Sequence, residues 1–235
     1  MTLRSLLISV RGALRLAVVC CALFLAPTAH ANLLVDGSFE DTRFGIPEDR
    51  VFLDGDLDGH WWVNGSIISL VGGGWQASEG RASVELAGLG SSGAVFQSFA
   101  TIPGQGYLVA FDLSGNPDNS HGEPTLKQLN ARALEGTDDE YVYGNTLTLQ
   151  AFVFDTAAMH NSTSDMKWER KSFMFIADTD KSVVFFYPET SDGVIWSASA
   201  IDNVSVVAIP EPGTSIMILC GLAALILVTS LRIRL

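Results

Sequence analysis

Residues 106–114 read GYLVAFDLS and contain the clearest strand pattern in the chain. Tyr107, Val109, Phe111 and Leu113 alternate with other residues, so an extended chain places all four on one face. We expect that face to be buried. A second stretch repeats the alternation, at Leu147, Leu149, Ala151 and Val153.

Six further runs are rich in Val, Ile, Phe, Tyr and Thr and are separated by turn residues, which is typical of strands. They are Ile67–Val71, Ala82–Leu86, Ala94–Thr101, Arg170–Ala177, Ser182–Tyr187 and Ala200–Ala208. Asn145–Phe154 contains the second alternating stretch. Lys127–Leu134 is the best helical candidate, and it offers one or two turns at most. Many short strands predict an all-β sandwich or barrel.

The N-terminus has the pattern of a secretory signal peptide. Arg4, Arg11 and Arg15 precede the apolar stretch Leu16–Ala26, and Ala29-His30-Ala31 provides the small residues that a signal peptidase reads. We therefore expect residues 1–31 to be removed by signal peptidase, and the chain to be exported.

The C-terminus combines Pro210-Glu211-Pro212, the uncharged apolar run Ser215–Leu231, and the basic residues Arg232 and Arg234. The run is just long enough for a transmembrane helix, and the arginines would stay on the cytoplasmic side. This order resembles the PEP-CTERM sorting signal of Gram-negative bacteria. The resemblance implies that residues 209–235 form a sorting signal, which anchors the chain transiently in the inner membrane until an exosortase-type peptidase removes the residues after the Pro-Glu-Pro segment. A plain single-span anchor is the alternative.

Charge and cysteine content limit the function of the exported part. Of the 14 basic residues, three lie in the signal peptide and two in the tail, whereas all 26 acidic residues lie between Asp36 and Glu211. Nine bases against 26 acids give a net charge of −17, which disfavours nucleic acid. The three cysteines, Cys20, Cys21 and Cys220, lie outside the exported part, so no disulfide stabilises it.

Several short motifs occur in a specific order along residues 32–207. They are Asn32–Glu40 (NLLVDGSFE), Trp75–Gly80 (WQASEG), Phe96–Phe99 (FQSF), Pro103–Tyr107 (PGQGY), Phe111–Pro117 (FDLSGNP), Trp168, Phe173–Phe175 (FMF) and Asp202–Val206 (DNVSV). Together they resemble the choice-of-anchor C family. That resemblance implies a galactose-binding-like jelly roll over residues 32–208, carried on one of several alternative anchoring tails.

The same resemblance implies a structural Ca²⁺ where the first and last strands meet. Glu40 and Asp202 match the family pattern, and backbone carbonyls near Asp36 and Gly80 would complete the shell. Carboxylate and carbonyl oxygens are the ligands that Ca²⁺ takes. The alternative is that Glu40 and Asp202 only accept hydrogen bonds from the loop ends.

A second acidic segment, DGDLDG at residues 54–59, resembles the start of an EF-hand loop. Asp54, Asp56 and Asp58 alternate, and Gly59 occupies the sixth position. The twelfth position is Gly65 instead of Glu, so the bidentate ligand is missing. A solvated acidic turn is the favoured interpretation.

Trp61 and Trp62 are the candidate sugar-binding residues. Adjacent side chains of an extended chain point to opposite faces, so one of the two should point outward. The other would join the core, which is the usual place of a tryptophan in such a fold.

The sequence contains no Gly-x-Ser-x-Gly, His-Glu-x-x-His or phosphate-loop motif, so we expect no enzymatic activity. The leading hypothesis is a non-catalytic protein of the cell envelope or extracellular matrix, with polysaccharide as its expected ligand. One alternative is a small carbohydrate-active enzyme, because carboxylates are abundant. The other is a structural matrix protein with no ligand.

Overall fold

The computed structural model describes residues 31–40, 49–57, 59–137, 143–189 and 196–210. Ala31–Ile209 forms one compact unit. The expected signal peptide, the C-terminal apolar run, Asp58, Glu211 and Pro212 lie outside the described residues. Within the described ranges, no helix is long and apolar enough to cross a membrane.

Eleven strands and one short helix make up the described part of the chain. The strands are β1 (Arg50–Asp56), β2 (Trp62–Val71), β3 (Ser83–Glu85), β4 (Ala87–Gly88), β5 (Ser91–Ala100), β6 (Gly106–Gly115), β7 (Leu126–Gly136), β8 (Tyr143–Asp155), β9 (Glu169–Ile176), β10 (Lys181–Pro188) and β11 (Ser199–Ala208). The helix, α1 (Thr156–Met159), is capped by the Asp155 side chain, which accepts hydrogen bonds from the N–H groups of Ala157 and Ala158.

The strands are hydrogen-bonded in the order β8-β7-β10-β5-β2-β3-β11-β6-β9, while β1 pairs with β2 and β4 pairs with β5. The pairings are antiparallel. The first part of β2 pairs with β5 and its last part with β3. Strand β2 therefore joins a first sheet, β8-β7-β10-β5-β2, to a second sheet, β2-β3-β11-β6-β9.

The core lies between the two sheets. Phe111 of β6 contacts Phe152 of β8 and Phe186 of β10, with ring centroids 5.2 and 5.0 Å apart. Tyr107, Val109, Phe111 and Leu113 are all buried, as their alternation predicted. Each large apolar side chain buried in this way contributes roughly 1.5–3 kcal/mol. The prediction of an all-β sandwich is confirmed.

The second alternating stretch faces the core only in part, because Leu147 packs against it whereas the later members of the stretch point the other way. Leu149 and Val153 are about half exposed, whereas Phe154 is buried and Phe152 packs against the core. Both faces of β8 are apolar, and the phenylalanines bury more surface than leucine or valine. Alternation identified this strand but could not choose its inner face.

The expected helical turns at Lys127–Leu134 are wrong, because these residues lie in strand β7, which pairs with β8 and β10. The segment contains good helix formers, but Lys127, Leu129 and Ala131 are buried at a spacing of two. Pairing on both sides overrides local propensity here. Strands β1 and β4 were also not predicted.

Candidate functional site

The first sheet has an outer face that does not belong to the main core. Along β10, Val184 and Phe186 point into the main core, while Val183 and Phe185 point away from it. The outer face carries a second, smaller cluster, formed by the buried residues Phe96, Leu134 and Val183 with the partly buried Trp62 and Phe185.

A row of directly opposed residues crosses this outer face over five strands. In spatial order it consists of Trp62 (β2), Phe96 (β5), Phe185 (β10), Arg132 (β7) and Leu149 (β8). Four steps between neighbouring strands make the row roughly 19 Å long. The rings of Phe96 and Phe185 are stacked, with centroids 5.7 Å apart and planes inclined by 15°. We call these five residues the cross-strand row.

Polar groups flank the row on its β7–β10 side. The Tyr187 ring lies 5.9 Å from the Phe185 ring, and the Arg132 guanidinium lies over the Tyr187 ring at 4.6 Å. Arg132 Nη2 also donates to the Tyr187 hydroxyl. Next to them, Asn130 Nδ2 donates to the Glu189 carboxylate. The outer face thus combines flat apolar rings with a guanidinium, a hydroxyl, an amide and a carboxylate.

The structure separates the two predicted sugar-binding tryptophans. Trp61 is fully buried, lies 5.0 Å from the Phe39 ring, and donates from Nε1 to the Asp36 carbonyl at 2.9 Å. Trp62 lies in the cross-strand row on the opposite side of β2. Trp61 therefore belongs to the core, and Trp62 is the one of the pair at the candidate site.

Trp196 is another exposed tryptophan, 44% exposed, in the part of the chain that the structure describes. Its ring is stacked on His121 at 4.8 Å, and a side chain added at Gly90 would meet the indole at 3.0 Å. Neighbours from this chain thus already pack against the indole. We therefore do not choose Trp196 as the candidate binding surface.

Glu40 and Asp202, the two carboxylates expected to bind calcium, both accept hydrogen bonds from the loop at residues 78–82. Glu40 Oε1 accepts hydrogen bonds from the N–H groups of Arg81 and Ala82, at 2.5 and 2.7 Å. Asp202 Oδ2 accepts from those of Ser78 and Glu79, at 2.7 and 2.9 Å. We call this loop and its two carboxylates the clasp.

The chain ends of the domain meet beside the clasp. Gly37 O accepts from Val204 N at 2.7 Å, and Asn32 Oδ1 accepts from Val206 N at 2.8 Å. A Cβ at Gly37 would lie 1.9 Å from the Val204 carbonyl oxygen, so only glycine fits there. The clasp and these contacts connect the first residues of the domain to its last strand.

Asp202 is fully buried, and burial raises the pKa of its carboxyl group to about 7. The hydrogen bonds that it accepts from backbone N–H groups lower this pKa but do not offset the effect of burial. Neighbouring Asp112 adds to the rise and is itself paired with Arg170 at 3.1 Å. Buried carboxyl oxygens are chemically suitable for Ca²⁺, but here they face N–H donors. Among the described residues, no three His, Cys, Asp or Glu side chains are grouped for a metal. Calcium at Glu40 and Asp202 stays a prediction.

Of the second acidic segment, Asp54 and Asp56 lie in strand β1, and Asp58 is outside the described residues. Asp54 Oδ1 accepts from the N–H of Gly65 at 3.2 Å, and Leu57 N donates to the Trp61 carbonyl at 2.9 Å. The segment therefore ends a strand and enters the turn that leads into β2.

Two further places contain carboxyl groups that could do chemistry. Glu85 is 6% exposed, and burial raises its pKa to about 7, although Asn116 Nδ2 and the Ala198 N–H both donate to it. Separately, a groove of about 690 Å³ is lined by residues of β8 and β9 and contains Glu135 and Asp178. Glu135 Oε2 accepts from the backbone and the side chain of Asn145, at 2.9 and 3.0 Å.

Sequence reasoning missed Phe185, Tyr187 and Arg132 as site residues. Phe185 and Tyr187 alternate with Val184 and Phe186 in a continuous apolar run, which does not show which set faces inward. Arg132 lies in the segment predicted as helical. Their common position depends on the register of β7, β10 and β5, which no local pattern reveals.

A family model described as "Protein of unknown function (DUF642)" matches residues 32–207. No curated protein matches the chain. Among solved structures, a family 61 carbohydrate-binding module in complex with β-1,4-galactotriose is 17% identical, with a TM-score of 0.43 over 76% of this chain and 99% of that one. The CBM22-1 xylan-binding domain from Paenibacillus barcinonensis Xyn10C is 11% identical, with a TM-score of 0.45 over 79% and 99%. A family 16 carbohydrate-binding module is 18% identical, with a TM-score of 0.42 over 75% and 99%.

Proposed function

The chain belongs to the DUF642 family of proteins of unknown function, and we propose that its β-sandwich is a non-catalytic module that binds polysaccharide. The binding surface is the outer face of the first sheet. The cross-strand row carries this proposal, because the partly exposed rings of Trp62 and Phe185 lie on either side of the buried Phe96, beside groups able to bind hydroxyls.

The chemistry of the row suits a chain of sugars. Sugar rings have apolar faces that stack on aromatic side chains, and hydroxyl groups that exchange hydrogen bonds with planar polar groups. Binding sites in general combine apolar walls with a few polar groups that fix orientation. A row roughly 19 Å long is longer than one sugar ring. An extended polysaccharide uses that length better than a monosaccharide does.

The site's place in the cell follows from the two ends of the chain. We propose that the protein is a choice-of-anchor C member with a PEP-CTERM tail. It is exported after signal peptidase cleavage and processed by an exosortase-type peptidase at Pro210-Glu211-Pro212. It then remains at the cell surface or in the extracellular matrix. The supporting observations are the motifs in the sequence.

A glycan array probed with the domain Ala31–Ile209 tests the binding proposal. That unit contains all the described strands and the main core. We expect binding to at least one polysaccharide and its loss in Tyr187→Ala. The matched control is Met174→Ala, which removes an exposed apolar side chain from β9 of the second sheet. Absence of binding to every glycan would favour a structural matrix protein instead.

The alternative of a small carbohydrate-active enzyme would depend on the groove between β8 and β9, where Glu135 and Asp178 lie. Glycosidases use a pair of carboxyl groups, one of them a proton donor. We expect no release of reducing ends from any bound polysaccharide. Turnover that disappears in Glu135→Gln or Asp178→Asn would establish the enzyme and refute the non-catalytic assignment.

A further inference from the structure

We propose that the polysaccharide bound by the outer face is acidic and carries carboxylates, as polyuronates do. This inference rests on the proposed function and specifies its ligand. Its basis is a pair of cations, Arg132 and Lys181, that the fold places on the outer face and that form no ion pair with any described acidic residue.

Arg132 is the first of the two cations. Its described contacts are with Tyr187 alone, through the hydroxyl and the ring. None of the ion pairs between described residues includes it. Its Nε is buried and has no hydrogen-bond partner in the described part of the chain. An unpaired buried donor is unfavourable, and a guanidinium pairs best with a carboxylate, through two parallel hydrogen bonds.

Lys181 is the second cation on this face. It precedes Val183 and Phe185 by two and four positions on β10, so the three share a side of the strand. Its Nζ donates to the Thr137 carbonyl at 3.1 Å. Across from it, Gly136 has no side chain, and a Cβ there would lie 2.6 Å from Lys181 Cγ. Lys181 and Phe185, the neighbour of Arg132 in the row, lie roughly 13 Å apart along the strand.

Acidic residues far outnumber basic ones in this chain, so two basic side chains on one face are a distinctive feature. The exported part has nine bases against 26 acids, and three of the other described bases pair with acids: Lys167 with Asp165, Arg170 with Asp112, and Lys171 with Glu169. Glu189 lies on the same side of the sheet, and its carboxylate accepts a hydrogen bond from the Asn130 side chain. The net negative charge repels an anionic chain at long range, but salt screens that repulsion beyond about 8 Å. Contacts at Arg132 and Lys181 act within that distance.

Paired ligands test the inference without altering the protein. Four ligands are titrated into Ala31–Ile209 at 0.15 M salt with chelator present. They are a β-1,4-glucuronan, alginate, and the neutral methyl ester of each. Dextran sulfate is a fifth ligand. We expect at least one free polyuronate to bind more tightly than its ester, by roughly ten- to hundredfold, the range for hydrogen bonds to charged groups.

The outcomes separate this inference from the proposed function. Equal binding of each acid and its ester, or binding of neutral glycans alone, overturns the acidic ligand and leaves polysaccharide binding intact. Binding of dextran sulfate without either polyuronate overturns the choice of carboxylate. No binding of any glycan refutes both.

Substitutions then locate the contact. Arg132→Lys keeps the positive charge but removes the bidentate hydrogen-bonding geometry of the guanidinium. Arg132→Gln removes both the charge and that geometry. We expect the advantage of the acid over its ester to fall in Arg132→Lys and to fall further in Arg132→Gln, where only Lys181 remains, while the ester binds as before. Lys171→Gln is the matched control, because it removes a base from β9 on the second sheet. An unchanged advantage in folded Arg132→Gln, checked by circular dichroism, would refute the contact.

Discussion

At the scale of single residues, the side of a strand on which a side chain lies decides its role. Trp61 and Trp62 are adjacent in the chain and identical in chemistry, yet one completes the core and the other joins the cross-strand row. Phe185 and Phe186 divide in the same way. In each pair, one residue faces the main core and its neighbour faces the outer side of the first sheet.

Opposite effects are therefore predicted for the two tryptophans. Trp62→Ala should weaken polysaccharide binding by about 1–3 kcal/mol, as loss of a stacking aromatic does, with little change in stability. Trp61→Ala should lower the free energy of unfolding by about 3–5 kcal/mol, because it leaves a cavity in the core and removes the hydrogen bond from the indole N–H to the Asp36 carbonyl. Isothermal titration calorimetry and urea denaturation distinguish them. Equal loss of stability in both variants would contradict the assignment of faces.

Glu85 is a residue whose burial makes stability depend on pH. Its pKa is raised from 4.5 to about 7, chiefly by burial, so the folded state favours the protonated carboxyl. The folded protein then binds one proton more than the unfolded chain between these two values. The stabilisation that the protonated Glu85 carboxyl contributes is therefore fully present below about pH 4.5 and is lost as pH rises towards 7.

The predicted fall from Glu85 is on the order of 3 kcal/mol between pH 4.5 and 7. Glu85→Gln imitates the protonated group, so the unfolding free energy of this variant should lack that part of the fall. The raised pKa of Asp202 lowers stability over the same pH range in both proteins. The difference between their unfolding free energies, measured by urea denaturation at each pH, therefore gives the contribution of Glu85 alone. Parallel pH profiles of the two proteins would show that Glu85 does not titrate in this range.

At the scale of elements, strand β7 shows how context overrides propensity. The segment LKQLNARALEG would be acceptable in a helix, but β8 pairs along most of its length and β10 pairs with Leu129–Glu135 on the other side. This pairing turns Leu129 and Ala131 inward and Arg132 outward. A helix there would have removed Arg132 from the row.

The clasp is the element where the calcium expectation can be tested. If Ca²⁺ binds at Glu40 and Asp202, it should raise the melting temperature of Ala31–Ile209. At a hundredfold excess over Kd the gain is about 2.7 kcal/mol, which corresponds to roughly 5–11 °C for a domain of this size. Differential scanning calorimetry with calcium and with chelator measures it.

Two variants give this experiment its controls. Glu40→Gln combined with Asp202→Asn should abolish the calcium response. Asp54→Asn combined with Asp56→Asn should retain most of it, because these two residues belong to β1 and its turn. Identical melting curves with calcium and with chelator, in protein shown to be metal-free, would leave the clasp as a set of hydrogen bonds alone.

At the scale of the whole molecule, our proposal gives the domain and the chain ends separate tasks. The unit Ala31–Ile209 holds the core and the candidate binding surface. We expect the secreted protein, from a host that has an exosortase, to lack the residues that follow the Pro-Glu-Pro segment. Intact-mass spectrometry of the surface or released form measures this directly. A mature protein that still contains Leu231 would instead indicate a plain membrane anchor.

The sequence by itself determined the fold class, because alternation and turn residues are local signals. Eight strands were identified in this way, and the GYLVAFDLS stretch had its buried face assigned correctly. Composition likewise gave the charge and the cysteine distribution of the exported part. The sequence also indicated that one residue of the Trp61–Trp62 pair would point outward.

Only the tertiary structure decided which one, and what lies beside it. Trp62, Phe185 and Arg132 are far apart in the chain and meet because β2, β5, β10 and β7 pair in one register. Strand β8 had two apolar faces and β7 had helical propensity, so neither local pattern contained the answer. Register is set by packing between distant segments, since a slip of one residue turns every side chain to the opposite face.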